Sequence, residues 1–248
     1  MTPSKLQVST RTAFVLAGGL GTRLRSVVSD VPKPMAPVNG RPFLDYLLHY
    51  WQGQGISDFI LSVGYLSEVI TDYFGTSHAG ASIRYVQEPS PLGTGGALAL
   101  AEREGMLRED EVLLLNGDTW FEASLPALEQ DAAAHPHAAM VLTLLKIPRN
   151  TRYGSVHVDG QGLITSFGEK TDAPDLINAG CCLLRTREFA RSLAGMPEVF
   201  SLEKDLLPRL AAAGRLGASI QDAPFIDIGI PEDYERMQRK AASSGLPR

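Results

Sequence analysis

A chain of 248 residues with 44% apolar and 21% charged positions can bury a substantial core, which excludes a disordered or fibrous protein. Its formal net charge of −5 argues against general affinity for nucleic acid, which depends on counterion release by basic surface. The longest apolar runs, residues 112–115 and 138–145, fall far short of the ~20 residues of a membrane-spanning helix, so no membrane association is expected.

The N-terminal residues 1–12 carry neither an apolar stretch nor a small-residue cleavage site, and a cytoplasmic protein is expected. Residues 12–17 then form a short apolar run that ends in glycines, the pattern of a buried parallel strand entering a tight loop. Similar runs at 59–63, 83–86 and 112–116 alternate with helical patterns at 42–54, 68–74 and 95–104. Such alternation implies right-handed crossovers and an α/β fold with a mostly parallel sheet covered on both faces.

After residue 138 the spacing tightens, with strands expected at 138–145, 155–158, 163–167 and 178–185 and a turn at Asp159-Gly160. This part reads as antiparallel or mixed. Cys181 and Cys182 are neighbours inside an apolar run, which suits reduced thiols on opposite faces of a strand rather than a disulfide. A helix start is expected at Ser201, with the acidic Glu203 one place early for a capping box. A last strand at 224–228 precedes a helix opening at Pro231, where Glu232 and Asp233 favour the helix dipole. No repeat or convincing linker divides the chain, so one domain is expected over residues 1–248.

The loop after the first strand reads Leu16-Ala17-Gly18-Gly19-Leu20-Gly21-Thr22-Arg23-Leu24. Its glycines let backbone N–H groups approach an anion, and Arg23, Arg25 and Lys33 crowd the same segment. A Walker loop would need Gly-Lys-Ser/Thr where Gly21-Thr22-Arg23 stands. A dinucleotide fingerprint from Gly19 would need glycine in place of Leu24, which disfavours a dehydrogenase. Lys33 lies between Pro32 and Pro34, whose fixed φ angles restrain it, and reads as a second cation for a polyphosphate. Asp118 ends an apolar strand at Asn116-Gly117-Asp118, and Asp227 stands in a short strand before Gly229. Two such aspartates could hold Mg²⁺, a hard ion that prefers oxygen ligands, although an aspartate at a strand end is more often a turn or cap. The histidines, His49, His78, His135, His137 and His157, show no metal-ligand or triad spacing.

The glycine loop followed by Lys33-Pro34-Met35 closely resembles the signature of sugar-1-phosphate nucleotidyltransferases. The resemblance extends from residue 13 to about residue 238. It implies the nucleotide-diphospho-sugar transferase fold, a Rossmann-like mixed sheet flanked by helices with a small antiparallel sugar-binding subregion. Residues 12–137 would then mainly bind nucleotide, and residues 138–240 the sugar phosphate. By the same resemblance Leu16, Ala17, Gly18, Gly19, Gly21 and Thr22 wrap the nucleotide, Arg23 and Lys33 neutralise phosphates, and Asp118 and Asp227 bind the metal.

Gln87, Gly93 and Thr94 fall in a segment that resembles the family's base-recognition loop. Tyr153, Gly154, Glu169, Lys170 and Asn178 match its sugar-phosphate positions. The implied reaction is attack of a sugar 1-phosphate on the α-phosphorus of an NTP, with pyrophosphate leaving. Within the family the pattern is most similar to guanylyltransferases acting on a heptose 1-phosphate, so GTP is the expected nucleotide. Mannose 1-phosphate guanylyltransferases and N-acetylmuramate 1-phosphate uridylyltransferases are the alternatives. Residue chemistry alone does not rank guanine above uracil. A non-catalytic sugar-nucleotide sensor on the same fold is the reading from another class, and homo-oligomerisation is left open.

Overall fold

The computed structural model describes residues 10–19 and 30–243. In chain order the first part holds β1 (Thr12–Leu16), β2 (Pro37–Val38), β3 (Arg41–Pro42), α1 (Phe43–Gly53), β4 (Asp58–Val63), α2 (Ser67–Phe74), β5 (Ser77–His78) and β6 (Ala81–Gln87). Then come α3 (Gly93–Arg103), β7 (Glu111–Asn116), β8 (Thr119–Phe121) and α4 (Leu125–Ala134). The remainder comprises β9 (Met140–Ile147), β10 (Ser155–Val158), β11 (Ile164–Gly168), β12 (Asp175–Arg185), α5 (Thr186–Ser192), α6 (Leu207–Ala212), β13 (Leu216–Ile220), β14 (Phe225–Asp227) and α7 (Pro231–Ser243).

Strands β6, β4, β1 and β7 run parallel in that order, as the alternation of strands and helices requires. β12 then joins β7 antiparallel, β9 and β10 pair with β12 antiparallel, and β13 returns parallel to β9. The α/β, mostly parallel but mixed sheet expected from the sequence is therefore present. Both faces are buried, which explains why the central strands read as continuous apolar runs. On β1, Ala13 and Val15 pack into the core formed with α1, α2, α4 and α7, while Phe14 packs on the other face with α3, α5 and α6.

The same alternation divides the cysteines. Cys181 enters the first core and Cys182 the second, both unpaired and fully buried. Burial pushes the Cys181 thiol up to about 12, because a thiolate would lose its hydration there. Neither cysteine is expected to react with a thiol reagent at pH 8 in the folded protein, and both should react once denaturant is added; one fast thiol under native conditions would contradict this burial.

Details differ from the sequence pattern where side chains compete with backbone. The turn at Asp159 is held by its own carboxylate, which accepts from the N–H groups of Gln161 and Leu163 at 2.9 Å, and the positive φ of +81° falls on Gly162 rather than Gly160. Ser201 does cap a helical turn, accepting from the Lys204 N–H at 3.2 Å. The reciprocal bond comes from Asp205, which accepts the Ser201 N–H at 2.7 Å, so Glu203 is released from capping. Residues 202–206 form one wide turn that leads into α6.

Candidate functional site

The carboxyl ends of β4, β1 and β7 lie side by side, with Leu16 opposite both Ser62 and Asn116. The segments that leave these strands therefore emerge at one sheet edge, the usual ligand side of such a sheet. Ala17 N–H donates to Ser62 O at 3.0 Å and Gly117 N–H to Leu16 O at 3.0 Å, which locks Ala17, Gly18 and Gly117 together. A Cβ at Gly117 would stand 2.6 Å from Leu16 O, so only glycine permits this approach. Gly21, Thr22 and Arg23 lie outside the described residues.

Asp118 follows Gly117 directly and precedes β8, a three-residue strand too short to be seen as a period. β8 pairs antiparallel with β14, placing Asp227 opposite Thr119 and thus next to Asp118 across the pair. Ile228 N–H closes the ladder on Asp118 O at 3.1 Å. Both carboxylates meet at Lys33, whose Nζ lies 2.5 Å from Asp118 Oδ2 and 3.5 Å from Asp227 Oδ1. Carboxylates 85 and 194 positions from that lysine in the chain thus converge on one cation, so Asp118 and Asp227 face the same point in space.

Lys33 is positioned by a single helical turn, Lys33–Met35, in which Met35 N–H donates to Pro32 O at 2.7 Å. Its side chain is only 9% exposed and that of Asp227 16%, whereas Asp118 at 36% still opens to solvent. Gly229 N–H donates to Asp227 Oδ1 at 2.8 Å, fixing that carboxylate from the backbone. A further cation was not anticipated from the sequence. Arg152 Nη2 lies 3.5 Å from Asp227 Oδ2 and its Nη1 bonds Asp233 at the start of α7. Burial opposes the Arg152 charge, but Asp233 and Asp227 hold its pKa above the ordinary guanidinium value. Nothing in the local sequence distinguishes Arg152 from a surface arginine, because both acidic partners come from the distant C-terminal part.

On the other side of the glycine loop the structure separates Gln87 from Glu88. Gln87 is exposed and donates to Ser67 Oγ at 3.0 Å. Glu88 instead packs against Gly18, where a Cβ would collide with its carboxylate. Its oxygens accept from Ser62 Oγ at 3.0 Å and Leu92 N–H at 3.1 Å. Strand alternation carried the signal: Val86 is buried and Gln87 exposed, so residue 88 returns to the inner side.

Gly93 and Thr94 open α3, but here they meet the 200–203 segment of the same chain. Gly93 adopts φ +76°, and a Cβ on it would approach Phe200 O to 2.5 Å. Gly95 N–H donates to that carbonyl at 3.1 Å, while Thr94 Oγ1 donates to Glu203 Oε2 at 2.7 Å. The close backbone approach that Gly93 permits is made in this structure by Phe200.

The remaining expected positions lie on the antiparallel side. Tyr153 is half-buried, its ring packed at 5.7 Å from Phe225 and beneath the Arg152 guanidinium, and burial pushes its phenol up to about 12. Gly154 runs beside Gly168, and Glu169 and Lys170 follow β11 with both side chains exposed. Asn178 sits where β12 shifts register; its Oδ1 accepts Gly180 N–H at 3.1 Å, and Gly180 has φ +78°. Asn178, Asn116 and Glu203 line one small cavity together with Gly180 of that bulge.

The chain is similar to known proteins. A D-glycero-alpha-D-manno-heptose 1-phosphate guanylyltransferase of Campylobacter jejuni is 42% identical over 90% of this chain and 96% of its own length. A Mycobacterium tuberculosis mannose-1-phosphate guanylyltransferase is 38% identical over 90% of this chain but only 62% of its own length. The crystal structure of HddC from Yersinia pseudotuberculosis complexed with GMP-PN superimposes with a TM-score of 0.82 at 32% identity, covering 94% of this chain and all of that one. The nucleotidyl transferase profile spans residues 12–244, and this chain belongs to the nucleotidyl transferase family.

Proposed function

We propose that this protein transfers GMP from GTP to D-glycero-α-D-manno-heptose 1-phosphate, giving a GDP-heptose and pyrophosphate. The observation that carries the chemistry is the convergence of Asp118 and Asp227 at Lys33, beside a glycine loop at the sheet edge. Two carboxylates that already share a cation, one of them still open to solvent, fit a divalent ion with oxygen preference. Asp118 and Asp227 would hold Mg²⁺, which when bound neutralises phosphate charge.

A phosphate oxygen of the sugar 1-phosphate forms the new bond to the α-phosphorus as the bond to the β-phosphate bridging oxygen breaks. The nucleophile is already anionic, so no general base is required, and the residues act by positioning and charge neutralisation. Lys33 and Arg23 supply positive charge for the triphosphate. Lys170 binds the sugar phosphate, Glu169 accepts hydrogen bonds from sugar hydroxyls, and Tyr153, Gly154 and Asn178 shape the sugar side.

Glu88 supports guanine. Guanine presents two adjacent donors, N1–H and the N2 amino group, and a carboxylate can accept both. Uracil and thymine pair an N–H with flanking carbonyls, which a carboxylate would repel. The mannose 1-phosphate reading rests on the mycobacterial relative, which shares this part of its chain.

The test is pyrophosphate release measured across four NTPs and the 1-phosphates of heptose, mannose, glucose and N-acetylmuramate. GTP with the heptose is expected to be fastest by kcat/KM. Mannose 1-phosphate turning over faster would transfer the assignment to the mannose reading. Tight nucleotide binding without any turnover would establish the sensor instead.

A further inference from the structure

The Asp45, His49 and His78 side chains form a cluster apart from the carboxylate pair. Asp45 and His49 are four residues apart in α1 and share one helical face. His78 arrives from β5, carried back by the hairpin at Ala79 and Gly80, both with positive φ, and packed edge-on to Phe74 at 4.9 Å. Read along the chain, the histidines show no ligand spacing. Only this hairpin makes His78 a neighbour of α1.

The geometry is organised around one carboxylate. Asp45 is 1% exposed; its Oδ2 accepts from Arg41 at 2.6 Å and from Tyr73 Oη at 3.0 Å. Those bonds leave Oδ1 2.9 Å from His49 Nδ1 and 2.8 Å from His78 Nε2, while His49 Nδ1 also lies 2.9 Å from the Asp45 backbone carbonyl, which accepts its N–H. The three potential ligand atoms all lie within 4.8 Å of one another. Hydrogen bonds to the outer oxygen of a ligating carboxylate are the usual means of orienting it. His49 and His78 are each about one-fifth exposed, so an ion and a water ligand can enter from solvent.

We propose that Asp45, His49 and His78 form a binding site for a divalent transition-metal ion of the Zn²⁺ class, clamping α1 to the β5 hairpin. Two imidazoles and one carboxylate with an open fourth position suit Zn²⁺ or Co²⁺, whereas Mg²⁺ favours the all-oxygen pair at Asp118 and Asp227. An ion needs a lone pair from each ring in place of the N–H now facing an Asp45 oxygen, so on binding each neutral imidazole carries its proton on the other ring nitrogen. The Arg41 guanidinium on Oδ2 opposes the ion's charge and weakens the site relative to a cage without a cation. α1 follows the Lys33 turn after the short β2 and β3 strands, so the clamp secures the scaffold of that lysine without touching substrate.

The test uses untagged full-length protein, stripped with EDTA and kept in millimolar Mg²⁺. Co²⁺ is titrated by visible absorption, and Zn²⁺ is then added as competitor. One equivalent of Co²⁺ with tetrahedral bands, displaced by Zn²⁺, is expected. His49→Ala and His78→Ala should each weaken binding at least ~10-fold while circular dichroism and pyrophosphate release stay at wild-type levels. Zn²⁺ should raise Tm in wild type and leave it unmoved in both variants. Absence of a Co²⁺ band in wild type, or unchanged affinity in either histidine variant, overturns the site and leaves a purely hydrogen-bonded cluster. Loss of the band in Asp118→Asn with retention in the histidine variants overturns it too, by moving the ion to the carboxylate pair.

Discussion

Replacing Asp118 or Asp227 with asparagine lowers kcat for pyrophosphate release by at least ~10²-fold, or about 2.7 kcal/mol of barrier, with the fold retained. Both carboxylates face Lys33, so either substitution removes half of the negative charge that would bind the divalent ion. The fold survives because Lys33 keeps the other carboxylate and asparagine keeps an oxygen for Gly229 N–H or for Lys33 itself. Asp227→Asn should be the less conservative of the two, since Arg152 also leans on that carboxylate. The check is single-turnover pyrophosphate release over a Mg²⁺ series, beside thermal melts. Near wild-type rates in either folded variant would remove the metal assignment.

Glu88→Gln raises KM for GTP by ~10- to 100-fold, the scale of one lost two-point base contact, and narrows the preference for GTP over UTP. Glutamine offers one acceptor and one donor, so its amino group opposes one of guanine's two donors. Its carbonyl can still receive Leu92 N–H, the contact that holds the loop ahead of α3. Gln87→Ala should leave GTP selectivity intact, because that side chain is spent on Ser67. The measurement is kcat/KM for GTP and UTP in wild type and both variants. Selectivity lost on changing Gln87 and kept on changing Glu88 would reverse the assignment.

Along the chain, the information that could be read was local in nature. Alternating strands and helices announced the parallel sheet through residue 116, and the tighter spacing after residue 138 announced the antiparallel half. The glycine loop stood out at a strand end and Lys33 by its flanking prolines, whereas Asp118 and Asp227 were weak singly and were singled out by the family resemblance. The divided burial of Cys181 and Cys182 followed from the two-residue period of a strand. The side of Glu88 could have been reached the same way, since Val86 and Gln87 already specify which side of β6 residue 88 returns to.

What composition, periodicity and motif spacing determined for this protein was its fold class, its ligand edge and the residue types that edge would present. Which of those residues meet was decided only in three dimensions. Asp227 reaches Asp118 through the β8–β14 pair, Arg152 reaches Asp233 across the sheet, and His78 reaches Asp45 over a hairpin. Backbone preferences act over a few neighbouring residues and leave a trace in the sequence. Contacts between distant segments arise from the packing of the whole sheet and its helices, so no local pattern records them.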